Sequence, residues 1–339
     1  MRALVLLGWT MAAVGGLTGD AAPADPPVKV ITVQKIWDQA PHNAFTDLIR
    51  FRERWFCTFR EGAGHASGAG RIRVITSTDG DQWESAASFG EENVDLRDPK
   101  LSITPDGRLM MVGGAAVPAT RDPVTDHYSF VCFSENGRQW TKPQRVLASW
   151  QWLWRVTWHK GTAYGVAYGW DPKAPANAEK YTATLYKSQD GLKYEKVTDF
   201  PNPNSTEATL AFDGERMVCL QRRDGNPRTA LVGTSQPPYT EWTWTDLKAY
   251  FGGPNLIRTP DGAWWAAGRW IAGGKLTTVL AHLDLKTGTL TPRHTLPSGG
   301  DTSYPGLVWH AGELWMSYYS SHEGKSSIYL ARFKLPAGP

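Results

Sequence analysis

The residues best equipped for chemistry in this 339-residue chain sit at matching places in a repeated pattern. A short apolar segment, a turn and a stronger apolar segment recur as LIRFRERWFCTFRE from Leu48, LSITPDGRLMMVGG from Leu101 and VTWHKGTAYGVAYG from Val156. Three more copies follow: LAFDGERMVCLQRR from Leu210, LIRTPDGAWWAAGR from Leu256 and LVWHAGELWMSYYS from Leu307. Just before the copies stand Phe45-Thr46-Asp47, Arg97-Asp98-Pro99, Trp154-Arg155, Thr206-Glu207, Pro254-Asn255 and Ser303-Tyr304. At their ends stand Arg60, Gly114, Tyr168, Arg222, Arg269 and Tyr319. If each copy is an antiparallel hairpin, both sets meet at one rim. That rim gathers Asp47, Asp98 and Glu207 with Arg60, Arg97, Arg155, Arg222 or Arg223, and Arg269, beside Tyr304 and Tyr319. Charges on inner strands are costly unless paired or used. Taken singly, each arginine fits a salt bridge between repeats; as a ring, they fit a pocket for an anionic ligand, because a guanidinium fork matches a carboxylate or sulfate.

The elements that must hold these residues are strands. The chain has 41% hydrophobic and 20% charged residues, enough for a large core, and its 17 Trp, 34 Gly and 23 Pro favour short strands and tight turns over long helices. A second repeat confirms the period: Ser77-Thr-Asp79-Gly80-Asp-Gln-Trp83, Ser134-Glu-Asn136-Gly137-Arg-Gln-Trp140 and Ser188-Gln-Asp190-Gly191-Leu-Lys-Tyr194, with a degenerate copy from Ser235 to Trp242. Each clear copy follows an alternating strand, so the Asp/Asn-Gly pair predicts a hairpin turn with the aromatic folded back between sheets. Six copies at about 50-residue spacing predict a six-bladed all-β propeller of four-stranded antiparallel blades, a single domain over residues 26–339. The last strand, residues 326–334, lacks a partner behind it, and the segment 28–37 is expected to close the ring there, removing an exposed edge. In the run from Trp150 to Arg155, three indoles alternate as on one strand face, which suits core packing, with sugar stacking as the sharper alternative.

Residues 1–25 read as a secretory signal: Met1-Arg2, an apolar stretch too short for a span of roughly 20 residues, small residues, then a proline-rich junction. The protein is thus expected to be exported, periplasmic or extracellular, with no stable membrane span. The net charge of +3 has no basic run, which argues against nucleic acid as a partner. Cys57, Cys132 and Cys219 lie in apolar strand-like segments without CxxC or metal-ligand spacing, so they read as buried small hydrophobes, and neither metal nor cofactor is expected.

At these residues the chain resembles the sialidase (neuraminidase) superfamily of six-bladed glycoside hydrolases. The Ser-x-Asp-Gly-x-x-Trp turn is similar to that family's Asp-box (BNR) repeat in shortened form. Tyr304 in SYPGL resembles the family's nucleophilic tyrosine, Glu207 in STEATL the glutamate that partners it, and Arg222 or Arg223 and Arg269 members of its carboxylate-binding arginine triad. A neutral phenol deprotonated as it attacks suits an anomeric carbon that bears a carboxylate, which would repel an anionic nucleophile. Two family features are missing. Thr46 stands where the first-blade arginine belongs, with Arg60 or Arg97 as substitutes, and the loop Glu61–Gly70 has no aspartate. His65 in that loop is a candidate for the proton transfer, with Asp47 and Asp98 as competing acids; the loop's glycines would let it act as a lid.

The resemblance implies an exo-acting, retaining glycosidase that releases a terminal acidic sugar. Two other readings compete: a propeller that binds glycans without cleaving them, and a uronic-acid lyase using His65 and Tyr304 as base and acid.

Overall fold

The computed structural model describes residues 27–66, 69–118, 125–173 and 181–336. The expected signal at residues 1–25 lies outside them. The described residues form six four-stranded antiparallel sheets and no helix. Five blades are built from consecutive strands; in the sixth, the strand Lys29–Trp37 pairs with Ser327–Lys334 and completes the sheet, so the ring closes as the sequence predicts. The three cysteines are free and buried.

The repeated turn joins the two outer strands of a blade. Ser77 Oγ accepts the Gly80 N–H at 2.8 Å, Asp79 Oδ1 accepts the N–H groups of Asp81 and Gln82 at 2.8 and 3.1 Å, and Trp83 Nε1 donates to the Gly80 carbonyl at 2.8 Å. Gly80 has φ of +87°, and a Cβ there would fall 2.3 Å from the Trp315 ring of the neighbouring blade, so only glycine fits. The turns at Ser134 and Ser188 repeat the same Ser and Asx hydrogen bonds. Even the degenerate copy keeps its indole bond, from Trp242 Nε1 to the Tyr239 carbonyl at 3.0 Å. These turns carry the blade period and stand apart from the rim residues. Between the first and last blades, Trp55 and Trp315 stack with centroids 4.3 Å apart.

The inner strands start earlier than the sequence pattern suggests. They are His42–Phe51, Asp95–Ile103, Gln151–His159, Ser205–Asp213, Gly252–Arg258 and Thr302–His310, so the rim residues lie within them. Each strand carries a register shift at the same place: Ala44 faces Arg60 and Asp47 faces Thr58, which leaves Phe45 and Thr46 opposite a single residue. The corresponding pairs are Asp98-Pro99, Trp154-Arg155, Thr206-Glu207, Gly253-Pro254 and Tyr304-Pro305. An extra residue against one partner is a β-bulge, which turns a side chain out of the ladder. Phe45, Asp98, Gly253 and Tyr304 accordingly have φ of 65°, 50°, 57° and 52°. Proline at the second bulge position of three blades fits a site where the ladder needs no N–H. The bulge also breaks the tryptophan alternation: Trp152 and Trp154 are buried, Trp154 lies edge-on to the Tyr304 ring at 5.4 Å, and Trp150 stays half-buried against Trp170 and His127.

Candidate active site

Two bulges from opposite parts of the sequence supply the centre of the site. Tyr304 Oη donates to Glu207 Oε1 at 2.5 Å across 97 residues of chain. The other carboxylate oxygen, Oε2, accepts Arg222 Nη1 at 2.9 Å and the Gly253 N–H at 2.7 Å. Gly253 holds a left-handed conformation here, and a Cβ would fall 2.8 Å from Tyr304 Cδ2, so glycine both frees the amide and makes room for the phenol. Arg222 Nη1 also reaches Tyr304 Oη at 3.3 Å, and Asp224 Oδ1 fixes the guanidinium through Nε and Nη2 at 3.1 and 2.9 Å.

Electrostatics set the protonation states. Burial and the Glu207 charge push the Tyr304 phenol well above its ordinary range, so it is neutral. Burial works against the Glu207 charge, but Arg222 and the Tyr304, Arg222 and Gly253 hydrogen bonds hold its carboxyl below the usual range, so it is ionised. A neutral phenol hydrogen-bonded to a clamped carboxylate has the arrangement that a nucleophile and its base require.

Arg269 lies on the other side of the phenol, its guanidinium 5.1 Å from the Tyr304 ring centroid. Its Nε donates to the Thr302 carbonyl at 2.9 Å and its Nη2 to Tyr319 Oη at 2.9 Å and Asp301 Oδ1 at 3.3 Å. Tyr319 is fully buried and donates to the same Asp301 oxygen at 2.8 Å, so it supports Arg269 from below the surface. Phe45 packs against Tyr304, Tyr319 and His65 at 5.3, 5.5 and 5.1 Å, with the Arg97 guanidinium 4.9 Å from its ring.

Asp98, the bulge counterpart of Tyr304, is buried with Oδ1 unpartnered, and burial raises its pKa. It lies close enough to Glu207 and Tyr304 for their charges to act on one another. Lys100 closes the floor. Its Nζ donates to the Thr46 carbonyl at 2.9 Å and sits 5.7 Å from the Tyr304 ring, and burial with the Arg155 charge brings its pKa down to about 8.

Four residues singled out from the sequence are engaged elsewhere. Asp47 accepts Arg155 Nη1 with both oxygens, at 3.0 and 2.8 Å, and the Leu101 N–H at 2.7 Å, a structural link across the first three blades. Arg155 itself borders a cavity of about 460 Å³ together with Leu48, Leu101 and Arg258. Arg60 is fully buried, donating Nε to Asp95 Oδ1 at 2.6 Å and Nη1 to the Gly64 carbonyl at 2.8 Å. Arg223, next to Arg222 and so on the opposite strand face, donates to the Thr229 carbonyl and to Asp246 at 2.7 Å.

The structure adds Asp301 and His42, which sequence reasoning missed. His42 Nε2 and His65 Nδ1 both contact Asp301 Oδ2, at 3.0 and 2.5 Å. No residue-type signal marked His42; for Asp301 the hints were its proximity to the SYPGL segment and its place six residues before Leu307, as Asp95 stands six before Leu101.

No family model and no curated protein sequence matches the chain. Solved structures do resemble it. A protein of unknown function from Dyadobacter fermentans aligns with a TM-score of 0.80 at 18% identity, over 91% of this chain and all of that one. An alpha-L-arabinofuranosidase from Fusarium graminearum aligns with a TM-score of 0.69 at 13% identity, covering 91% of this chain and 98% of the enzyme. Trypanosoma rangeli sialidase aligns with a TM-score of 0.65 at 13% identity over 92% of this chain, which spans 60% of the sialidase. The chain thus has the propeller fold found in glycoside hydrolases of two specificities.

Proposed function

We propose that the protein is an exported, retaining exo-glycoside hydrolase of the sialidase type that releases a terminal acidic sugar. The observation that carries this reading is the Tyr304–Glu207 hydrogen bond of 2.5 Å, with the carboxylate clamped by Arg222 and the Gly253 amide. Tyr304 Oη attacks the anomeric carbon as its proton passes to Glu207 Oε1, and the bond to the leaving oxygen breaks. Water then cleaves the glycosyl–tyrosine bond, with Glu207 returning the proton to the phenol.

Arg222 and Arg269 flank the phenol, and Arg97 commits one weak contact, 3.4 Å, to Asp95. These cations supply the recognition of a sugar carboxylate. The unpartnered Oδ1 of Asp98 suits a sugar hydroxyl or amide N–H. The lyase reading fits less well, because Tyr304 is hydrogen-bonded to an ionised carboxylate and so is poorly placed to give a proton to a leaving group.

The test is a panel of 4-methylumbelliferyl glycosides of sialic acid, glucuronic acid and L-arabinofuranose, alongside sialylated glycoconjugates. Release of an acidic sugar by the wild type, and its loss in Tyr304→Phe with an unchanged unfolding midpoint, is the expected result. Full activity in Tyr304→Phe would sink the mechanism. Release of arabinose alone would keep the hydrolase and overturn the acidic sugar, and tight glycan binding without any release would leave a binding propeller.

A further inference from the structure

The hydrolase reading leaves one task without a residue: something must give a proton to the departing oxygen and take one from the incoming water. The structure places two imidazoles on one oxygen of a carboxylate whose other oxygen holds Arg269 against the Tyr304 ring. Asp301 Oδ1 is occupied by Arg269 and Tyr319, whereas Oδ2 receives His42 Nε2 and His65 Nδ1. Burial opposes the Asp301 charge, but the hydrogen bonds from His42, His65 and Tyr319 and the His65 charge hold its carboxyl well below the usual range. An ionised carboxylate only accepts, so both ring nitrogens that face it carry hydrogen.

The two imidazoles are not equivalent. His42 is buried, its Nδ1 has no hydrogen-bond partner, and its Nε2 hydrogen is the one that Asp301 uses. His65 is half-exposed, with 47% of its side chain open, and among the described residues no hydrogen bond uses its Nε2. With Nδ1–H fixed on Asp301, the neutral ring has a lone pair on Nε2 and the cationic ring has a second N–H there. Its ring sits edge-on against one side of Phe45, whose ring also meets Tyr304. That arrangement is a base or an acid at a defined atom, open to solvent and linked to the Tyr304 phenol through the Phe45 ring.

We propose, resting on the hydrolase reading above, that His65 Nε2 protonates the leaving oxygen and then deprotonates the attacking water, and that Asp301 is the positioning residue that fixes the tautomer. The same carboxylate, through Oδ1, holds Arg269 beside the phenol, so Asp301 ties the proton-transfer side of the pocket to the anchoring side. A divalent cation bound by His42, His65 and Asp301 is the competing use of these groups. It fits less well, because a metal on His42 Nε2 would put the ring proton on Nδ1, which has no acceptor.

The test combines a readout that needs no substrate with one that does. Long-range nitrogen NMR of the imidazoles should show His65 as the Nδ1–H tautomer in the wild type, with that preference lost in Asp301→Asn. An Nε2–H tautomer in the wild type would overturn the positioning role. On the sugar that the wild type releases fastest, 2,4-dinitrophenyl and phenyl glycosides are compared. His65→Ala should lose roughly 10²- to 10⁴-fold on the phenyl glycoside and far less on the dinitrophenyl one, and azide should restore turnover as the glycosyl azide. Equal losses on both, with Tyr304→Phe inactive, would overturn the proton transfer and leave the nucleophile standing; the same leaving-group signature in Asp98→Asn instead would assign the step to Asp98. Activity in Tyr304→Phe would remove the tyrosine nucleophile on which the hydrolase reading rests, while the tautomer result still decides whether Asp301 positions His65. Stoichiometric zinc in the purified protein that disappears in His65→Ala would replace the relay by a metal centre.

Discussion

Two arginine–aspartate pairs occupy the same register in different blades and have opposite characters. Arg60 faces Ala44 and reaches forward to Asp95 of the second blade; Arg269 faces Gly252 and reaches forward to Asp301 at the start of the sixth. The first pair is sealed, with both side chains at 0% exposure, whereas Arg269 and Asp301 retain 11% and 25%. At the sealed pair the guanidinium gives Nε to Asp95 and Nη1 to the Gly64 carbonyl and keeps Nη2 buried without a partner. At the open pair a phenol and two imidazoles have joined the carboxylate, and the arginine faces the Tyr304 ring. One repeat device therefore serves as a blade clamp at one place and as part of a site at another, and access to the pocket decides which.

The largest difference should appear when the carboxylates are removed. Asp95→Ala leaves a buried, uncompensated cation and should cost about 3–5 kcal/mol, read from urea unfolding; Asp301→Ala should cost clearly less. Equal losses would mean that the open pair is as structural as the sealed one. Next, Arg269→Met should lower kcat/KM by roughly ten- to hundredfold through lost charged hydrogen bonds, while Arg60→Met should act on stability first. A third test uses pH. The folded-state pKa of Asp301 is depressed, so its contribution is complete above the unfolded value of about 3.9 and is lost as pH falls towards the folded one. The stability gap between wild type and Asp301→Asn should therefore narrow as pH falls below about 3.9; a gap that widens there would reverse the assignment. The smallest effect is expected from Tyr319→Phe, which removes the hydrogen bond given to Asp301 and the one accepted from Arg269 and should cost about 2 kcal/mol.

How far the sequence revealed all this depends on the range of the contacts. The six repeats, the closing strand and the turn at Ser77 are local patterns that a single pass along the chain discloses. Tyr304, Glu207, Arg222 and Arg269 could be placed at one rim because each holds a fixed position in its repeat. The bulges could not be counted from apolar periodicity, although proline at positions 99, 254 and 305 marks half of them. Without the bulges, Asp47 and Arg155 look like pocket residues, when in the fold they neutralise each other. Arg60 and Arg269 are indistinguishable by type and register, and only burial separates them. Asp301 stands as far before its repeat as Asp95 does before the second, but its contacts with His65 and His42 span 236 and 259 residues, so no spacing rule brings the three together.

The central claim is that Tyr304 forms the covalent bond to sugar. Incubating the wild type with a fluorinated glycosyl fluoride of the sugar it releases, followed by peptic digestion and mass spectrometry, reads this directly. The account predicts one added glycosyl group on the peptide containing Tyr304, absent in Tyr304→Phe. A label on Glu207 or Asp98, or steady turnover of the reagent in Tyr304→Phe, would contradict it.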